Sequence, residues 1–320
     1  MRFNKNESRI WVAGSRGMAG SAIARRLSNV ISEPSRDKLD LRRQADVENW
    51  MTKNRPDVIY LAAARVGGIG ANAQYPADFI ADNLQIETNV ITTAAKLKVS
   101  KLVFLGSSCI YPKLAPQPLK EEYLMTGPLE ETNRAYAMAK LAGIELVRSF
   151  REQHGCDFIS VLPCNLYGPN DTYDLQHSHV IPALMLKIRI AIENEASHIT
   201  VWGSGQPMRE FLHVDDMADA VIHLANTYNG SAPVNVGAGQ DISIHDLAHM
   251  LCEIAGFKGR VVFDTSKPDG TPRKILDVTR LSASSWSPKI GLKQGLRETW
   301  IQFSSQARSS SRPSLQARQA

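Results

Sequence analysis

The sequence predicts an α/β protein: a doubly wound parallel sheet with helices on both faces, and a smaller α/β lobe beside it. Three observations predict this. Short apolar runs alternate with helical stretches through the first half, and a glycine-spaced turn joins the first strand to the first helix. Beyond Pro163 that alternation gives way to shorter apolar runs broken by proline and glycine.

The strands at 9–13, 57–62, 101–106 and 157–163 are rich in Val, Ile, Leu and Phe, as buried parallel strands are. Between them, 18–27, 46–53, 78–97 and 132–154 read as helices. Val30-Ile31 stands where a second strand would lie, with unusually few residues between it and the first helix. A helix at 214–227 and a strand at 233–237 are expected to rejoin the first sheet. The expected division is 1–169 plus about 213–239 for the nucleotide-binding domain, and about 170–212 plus 240–303 for the smaller lobe. The tail 304–320, rich in Ser, Arg and Gln, is expected to be disordered.

Composition narrows the function classes. The 320 residues are 43% hydrophobic and 22% charged, the balance of a soluble globular protein. No apolar stretch approaches membrane-spanning length, and the polar start 1–9 has no signal-like core, so a cytoplasmic location and no membrane partner are expected. Cys109, Cys156, Cys164 and Cys252 stand singly, which suits a reducing compartment and argues against a structural metal; no metal is expected. The last seventeen residues hold three arginines and no acid, leaving +2 of the net +5 to the rest. No concentrated basic patch remains, so nucleic acid is not an expected partner.

The run Gly14-Ser15-Arg16-Gly17-Met18-Ala19-Gly20 follows the first strand and opens a helix. Glycines spaced three apart allow a tight turn, close approach of backbone to a pyrophosphate, and close helix–strand packing. In this setting the motif predicts a Rossmann-type dinucleotide site. Arg16 and Arg36 suit a 2′-phosphate and favour NADP, whereas Glu33 nearby suits the free ribose of NAD.

The second motif is Tyr136-Ala137-Met138-Ala139-Lys140, with Tyr and Lys sharing a helical face. The ammonium is expected to lower the phenol's pKa, so that Tyr136 exchanges a proton with a carbonyl or alcohol oxygen. Ser107, at the end of the 101–106 strand, is placed to hydrogen-bond the same oxygen. Loop, serine and YxxxK together predict hydride transfer.

Eight segments carry a more specific resemblance: 60–69 (YLAAARVGGI), 75–79 (YPADF), 105–113 (LGSSCIYPK), 165–169 (NLYGP), 178–182 (SHVIP), 201–205 (VWGSG), 207–216 (PMREFLHVDD) and 266–274 (SKPDGTPRK). Over about 9–303 the chain resembles the GDP-L-fucose synthases, a family of extended short-chain dehydrogenases. It departs from them in the shortened stretch before Arg36 and in the tail.

The resemblance implies NADPH-dependent epimerisation at C3 and C5 of a GDP-4-keto-6-deoxymannose, followed by reduction of its 4-keto group. Cys109 and His179 match the family's proton-transfer pair. Without the family they read as a small buried residue and a loop histidine. Further cofactor positions carried over are Leu105, Gly106, Ser108, Lys140, Pro163, Asn165, Leu166 and His179, beside Gly14, Ser15, Arg16, Gly17, Met18, Gly20 and Arg36. Lys187, Trp202, Arg209 and Asp269 match the family's GDP-sugar residues. A homodimer built on the 78–97 and 132–154 helices is expected.

Three other readings frame the test. A 4-epimerase of the same fold keeps its NAD tightly bound and has no need of a C3/C5 acid–base pair. A 4,6-dehydratase needs an acid–base pair beside the serine, where this chain has Ser107-Ser108-Cys109. A non-catalytic NADP sensor has no need of both Tyr136 and Lys140.

Overall fold

The computed structural model describes residues 8–175, 178–267 and 269–310. In chain order the elements are β1 (Ile10–Ala13), α1 (Met18–Ala24), α2 (Gln44–Asn54), β2 (Val58–Leu61), α3 (Ile69–Gln74), α4 (Pro76–Lys96) and β3 (Lys101–Leu105). There follow α5 (Arg134–His154), β4 (Phe158–Pro163), β5 (Asn165–Tyr167), α6 (Val180–Glu193), β6 (His198–Trp202) and β7 (Met208–His213). The chain continues through α7 (Val214–Thr227), β8 (Val234–Val236), β9 (Asp241–Ser243), α8 (Ile244–Ala255), β10 (Arg260–Asp264), β11 (Arg273–Lys274), α9 (Thr279–Ser282) and α10 (Leu292–Ser310).

The large sheet is parallel throughout, in the order β1-β2-β3-β4-β8. Successive side chains alternate between its faces, and both faces are covered. Ile10 and Val12 join Tyr60, Val103 and Val161 under α1 and α7, whose Ile23, Met217 and Val221 complete that core. Trp11 and Ala13 point the other way, with Ile59, Leu102 and Phe104, against Val47 and Met51 of α2, Val90 and Ile91 of α4, and Val147 of α5. This is the Rossmann-type arrangement expected.

The strand expected at Val30-Ile31 does not form. Only an isolated bridge joins Ile10 to Val30, with Ile10 N–H donating to the Asn29 carbonyl at 3.1 Å and Ile31 N–H to the Ile10 carbonyl at 2.7 Å. The chain reverses within a few residues of α1, through Asn29 in the left-handed region (φ 59°), and Pro34 has no N–H to extend a ladder.

A smaller lobe carries parallel β6–β10 and the β11-β7-β5 sheet, with β9 antiparallel to β7. Its core joins α6, α8 and α10 through Ile181, Met185, Leu247, Leu251 and Leu296. The segment 240–303 divides between the lobes, since Leu276, Leu281 and Trp286 pack into the core of the large sheet. The helix α10 runs to Ser310, so the expected disorder does not begin at Ser304: Phe303 buries against the lobe and the helical hydrogen bonding carries on past it. Residues 311–320 lie outside the described residues. Among the described residues, no helix is long and apolar enough to cross a membrane.

Candidate active site

The glycine loop lies at the carboxyl end of β1 and has the geometry the motif requires. Gly14 sits at φ +87°, and a Cβ there would come within 2.7 Å of the Ala63 backbone. Gly17 N–H donates to the Gly14 carbonyl at 3.0 Å, and a Cβ on Gly20 would run into that same carbonyl. No side chain caps α1, whose first residue is Met18, so its leading N–H groups are left without a side-chain acceptor, with half-buried Ser15 in the loop before them. This cradle of backbone N–H groups fits a dinucleotide pyrophosphate.

The two candidate recognisers of the adenosine ribose meet on one segment. Glu33 Oε2 accepts from Gly14 N–H at 2.9 Å and from Trp11 Nε1 at 3.1 Å. Burial nevertheless holds the Glu33 carboxyl above the usual glutamate range, against those bonds and the charge of Arg16. The Arg16 guanidinium donates to the Pro34 carbonyl at 2.8 Å, and Arg36 is exposed.

Ser107, Cys109, Tyr136 and Lys140 come together beyond β3. Ser107 caps the short turn Ser108–Ile110, its Oγ accepting from Cys109 N–H at 3.2 Å, and its hydroxyl hydrogen-bonds the Tyr136 phenol. Buried Ser108 and Gly106 complete the turn, and a Cβ on Gly106 would press on Leu162 at 2.6 Å. Phe79 meets the Tyr136 ring edge-on at 6.4 Å. Lys140 is buried, donates to the Leu105 carbonyl at 3.0 Å and lies over the Phe104 ring at 4.7 Å.

One expectation is corrected here. Tyr136's pKa is raised, first by burial and then by nearby Cys109 and Glu87, with only the Ser107 hydrogen bond lowering it. The Lys140 ammonium does not depress it because its charge is answered elsewhere. Glu87 of α4 lies 3.1 Å from Lys140 Nζ, with both side chains almost wholly buried. The phenol therefore keeps its proton at neutral pH, the form that donates to a ketone oxygen.

Residue Glu87 was not among the sequence candidates, yet a signal exists. Asn83, Glu87, Val90, Ile91 and Ala94 form the inward stripe of α4, and a glutamate on such a stripe demands a partner.

The remaining candidates spread from β4 into the smaller lobe. Pro163 ends β4, buried; Asn165 Nδ2 donates to the Glu210 carbonyl at 2.7 Å, and Leu166 is half-buried beside it. His179 stands at the start of α6 as an exposed residue, and desolvation by the surrounding protein holds its pKa below the usual histidine value. No hydrogen bond among the described residues joins it to Cys109.

Substrate candidates gather at one end of the smaller lobe. Lys187 Nζ donates to the Thr200 carbonyl at 2.8 Å and lies 5.5 Å from the centre of the Trp202 ring. Lys267, another residue sequence reasoning passed over, lies 5.8 Å from the same ring. Asp269 accepts from Ser204 N–H at 2.9 Å and Ser204 Oγ at 2.6 Å, which holds its carboxyl below the usual aspartate range. Arg209, half-buried, feels both Cys109 and Asp269 and so links this end to the turn beyond β3. Among the described residues, no cluster of His, Cys, Asp or Glu is gathered to hold a metal.

Comparison with known proteins agrees with this geometry. Residues 10–237 match the NAD dependent epimerase/dehydratase family. The chain is 52% identical over 301 residues to a putative GDP-L-fucose synthase of Arabidopsis thaliana, covering 92% of each. It is 50% identical over 311 residues to GDP-L-fucose synthase of Escherichia coli (strain K12), covering 93% of this chain and 97% of that one. Among solved structures, a GDP-L-fucose synthetase from Naegleria fowleri bound to NADP superposes with TM-score 0.88 at 27% identity, covering 97% of each chain. With its glycine loop, its serine–tyrosine–lysine group and these relatives, the chain belongs to the NAD dependent epimerase/dehydratase family.

Proposed function

We propose that this protein converts GDP-4-keto-6-deoxy-D-mannose to GDP-L-fucose, by epimerisation at C3 and C5 followed by NADPH-dependent reduction of the 4-keto group. One observation carries the reading: Cys109 stands in the turn that Ser107 caps, beside protonated Tyr136 and within the field of Arg209. A proton-transfer group and a ketone-reducing group thus share one site.

NADPH, when bound in the glycine cradle, supplies the hydride. Ser107 and Tyr136 hold the 4-oxygen, and Tyr136 delivers the proton that completes the alcohol. While protons move at C3 and C5, the same two hydroxyls stabilise the enolate at that oxygen. Cys109 and His179 remove and return those protons, and Lys140 is fixed by Glu87 and Leu105. Lys187 and Arg209 face the diphosphate, while Trp202 and Asp269 offer an apolar face and a hydrogen-bond acceptor.

The absence of a carboxylate beside Ser107 weighs against dehydration, and the paired Tyr136 and Lys140 weigh against a silent cofactor sensor. We further infer a cytoplasmic homodimer without nucleic-acid or membrane partners. Its support is the packed α4–α5 pair, from which Met138 projects into solvent. The division into an NADP-binding domain and a GDP-sugar lobe belongs to the same reading.

The deciding experiment is incubation with NADPH and GDP-4-keto-6-deoxy-D-mannose, with the product sugar identified by NMR. GDP-L-fucose is the expected product. A reduced but unepimerised sugar would show a simple 4-ketoreductase instead.

A further inference from the structure

The reduced strand beside β1 places a carboxylate at the glycine loop itself. In dinucleotide folds, an acid about twenty residues beyond the first glycine hydrogen-bonds the adenosine 2′-hydroxyl, whereas an arginine there accommodates a 2′-phosphate. Glu33 lies at that separation from Gly14, just past the Val30 bridge. Its Oε2 is pinned by Gly14 N–H at 2.9 Å and by the Trp11 indole at 3.1 Å. This leaves a carboxylate fixed in place with acceptor capacity still to offer, since an ionised carboxyl accepts at about four positions.

The opposing charges are less firmly placed. The Arg16 guanidinium donates to the Pro34 carbonyl and reaches Glu33 electrostatically, while Arg36 is exposed and acts on Asp40. A 2′-phosphate brought to this loop meets Arg16 and a half-buried anion together. A 2′-hydroxyl meets a fixed carboxylate that already accepts from Gly14, Ser15 and Trp11 and has room for one donor more.

We propose that Glu33 is a specificity-determining residue for the cofactor. Its carboxylate receives the adenosine 2′-hydroxyl of NADH and opposes the 2′-phosphate of NADPH, so that the protein binds both. The inference rests on the dinucleotide site of the reading above, and concerns only its preference.

Titration of NADPH and NADH by their own fluorescence, on the native protein and on Glu33→Gln, tests it. The glutamine keeps an acceptor for Gly14 N–H but removes the charge. The native protein is expected to favour NADPH by less than about tenfold, and Glu33→Gln to widen that preference by about tenfold or more, with NADH itself bound more weakly. A native preference beyond about a hundredfold, or an unchanged ratio in the variant, would overturn the proposal while leaving the dinucleotide site intact.

A measurement on the native protein alone removes any dependence on the variant's folding. Competition by 2′,5′-ADP against 5′-AMP should show the 2′-phosphate adding less than about tenfold in affinity, and a larger gain would overturn the role of Glu33. Failure of the native protein to bind either cofactor would sink the dinucleotide site and the proposed function with it.

Discussion

The Lys140 ammonium and the Glu87 carboxylate, on neighbouring helices α5 and α4, form a buried ion pair at 3.1 Å behind the reacting face of the site. Removing one partner of such a pair leaves a desolvated charge alone, at a cost of about 3–5 kcal/mol. Glu87→Gln is therefore expected to lower the thermal midpoint sharply, and to shift the pH profile of reduction as Lys140 loses its counter-charge. Glu87→Gln combined with Lys140→Met should regain much of the lost stability. Stability unchanged in the single variant would show that the pair holds nothing in place.

Tyr136→Phe deletes the proton donor and leaves the glycine cradle untouched. Reduction should fall about 10²-fold or more in kcat while NADPH still binds, as read by steady-state turnover beside a fluorescence titration. Near-normal turnover would remove Tyr136 from the mechanism.

Gly20→Ala tests the cradle. The added Cβ meets the Gly14 carbonyl, which is backbone and has no rotamer to retreat into. An overpacking cost of about 1–3 kcal/mol falls on the loop, so NADPH affinity should drop by roughly tenfold to a hundredfold. Titration of the purified variant reads this directly.

Proton transfer at carbon is read separately by deuterium exchange. In deuterated water the native protein should label C3 and C5 of the 4-keto sugar without NADPH. Cys109→Ser and His179→Gln should label less, or at fewer positions, while still binding NADPH. Full labelling by Cys109→Ser would falsify its role.

The pH dependence of that exchange follows from where His179 stands. The surrounding protein disfavours its charged form and lowers its pKa below 6.5, so it is neutral at pH 7 and gains its proton only on acidification. An acid–base pair gives a bell-shaped kcat/KM profile, whose acid inflection should lie below pH 6.5 and vanish in His179→Gln. An inflection that persists in the variant would assign it to another group.

Much of this was legible in the sequence because it is local. The run Ile10–Ala13 feeds two cores at once, which is why it carries no polar alternation. Gly14, Gly17 and Gly20 lie within one turn, and Tyr136 and Lys140 share one face. What was not legible depends on residues far apart in the chain. The Tyr136 pKa moves opposite to expectation because the folded chain buries the phenol, and Cys109 and a glutamate on another helix add to the rise. The strand at Val30-Ile31 fails for want of chain length, a tertiary constraint that its apolar character does not report.

The Trp202 indole, at the end of β6, makes the protein its own optical reporter. Of the five tryptophans, Trp11 and Trp286 are buried and Trp50 and Trp300 half-buried, while Trp202 is 60% exposed. Water-facing indole emits at longer wavelength than buried indole, so the red edge of the emission belongs chiefly to Trp202. Lys187 and Lys267 beside the ring draw anions towards it, and iodide should quench that red edge preferentially. A molecule seated on the indole would shield it and shift the remaining light to the blue, so occupancy of this lobe can be followed without a label and without turnover.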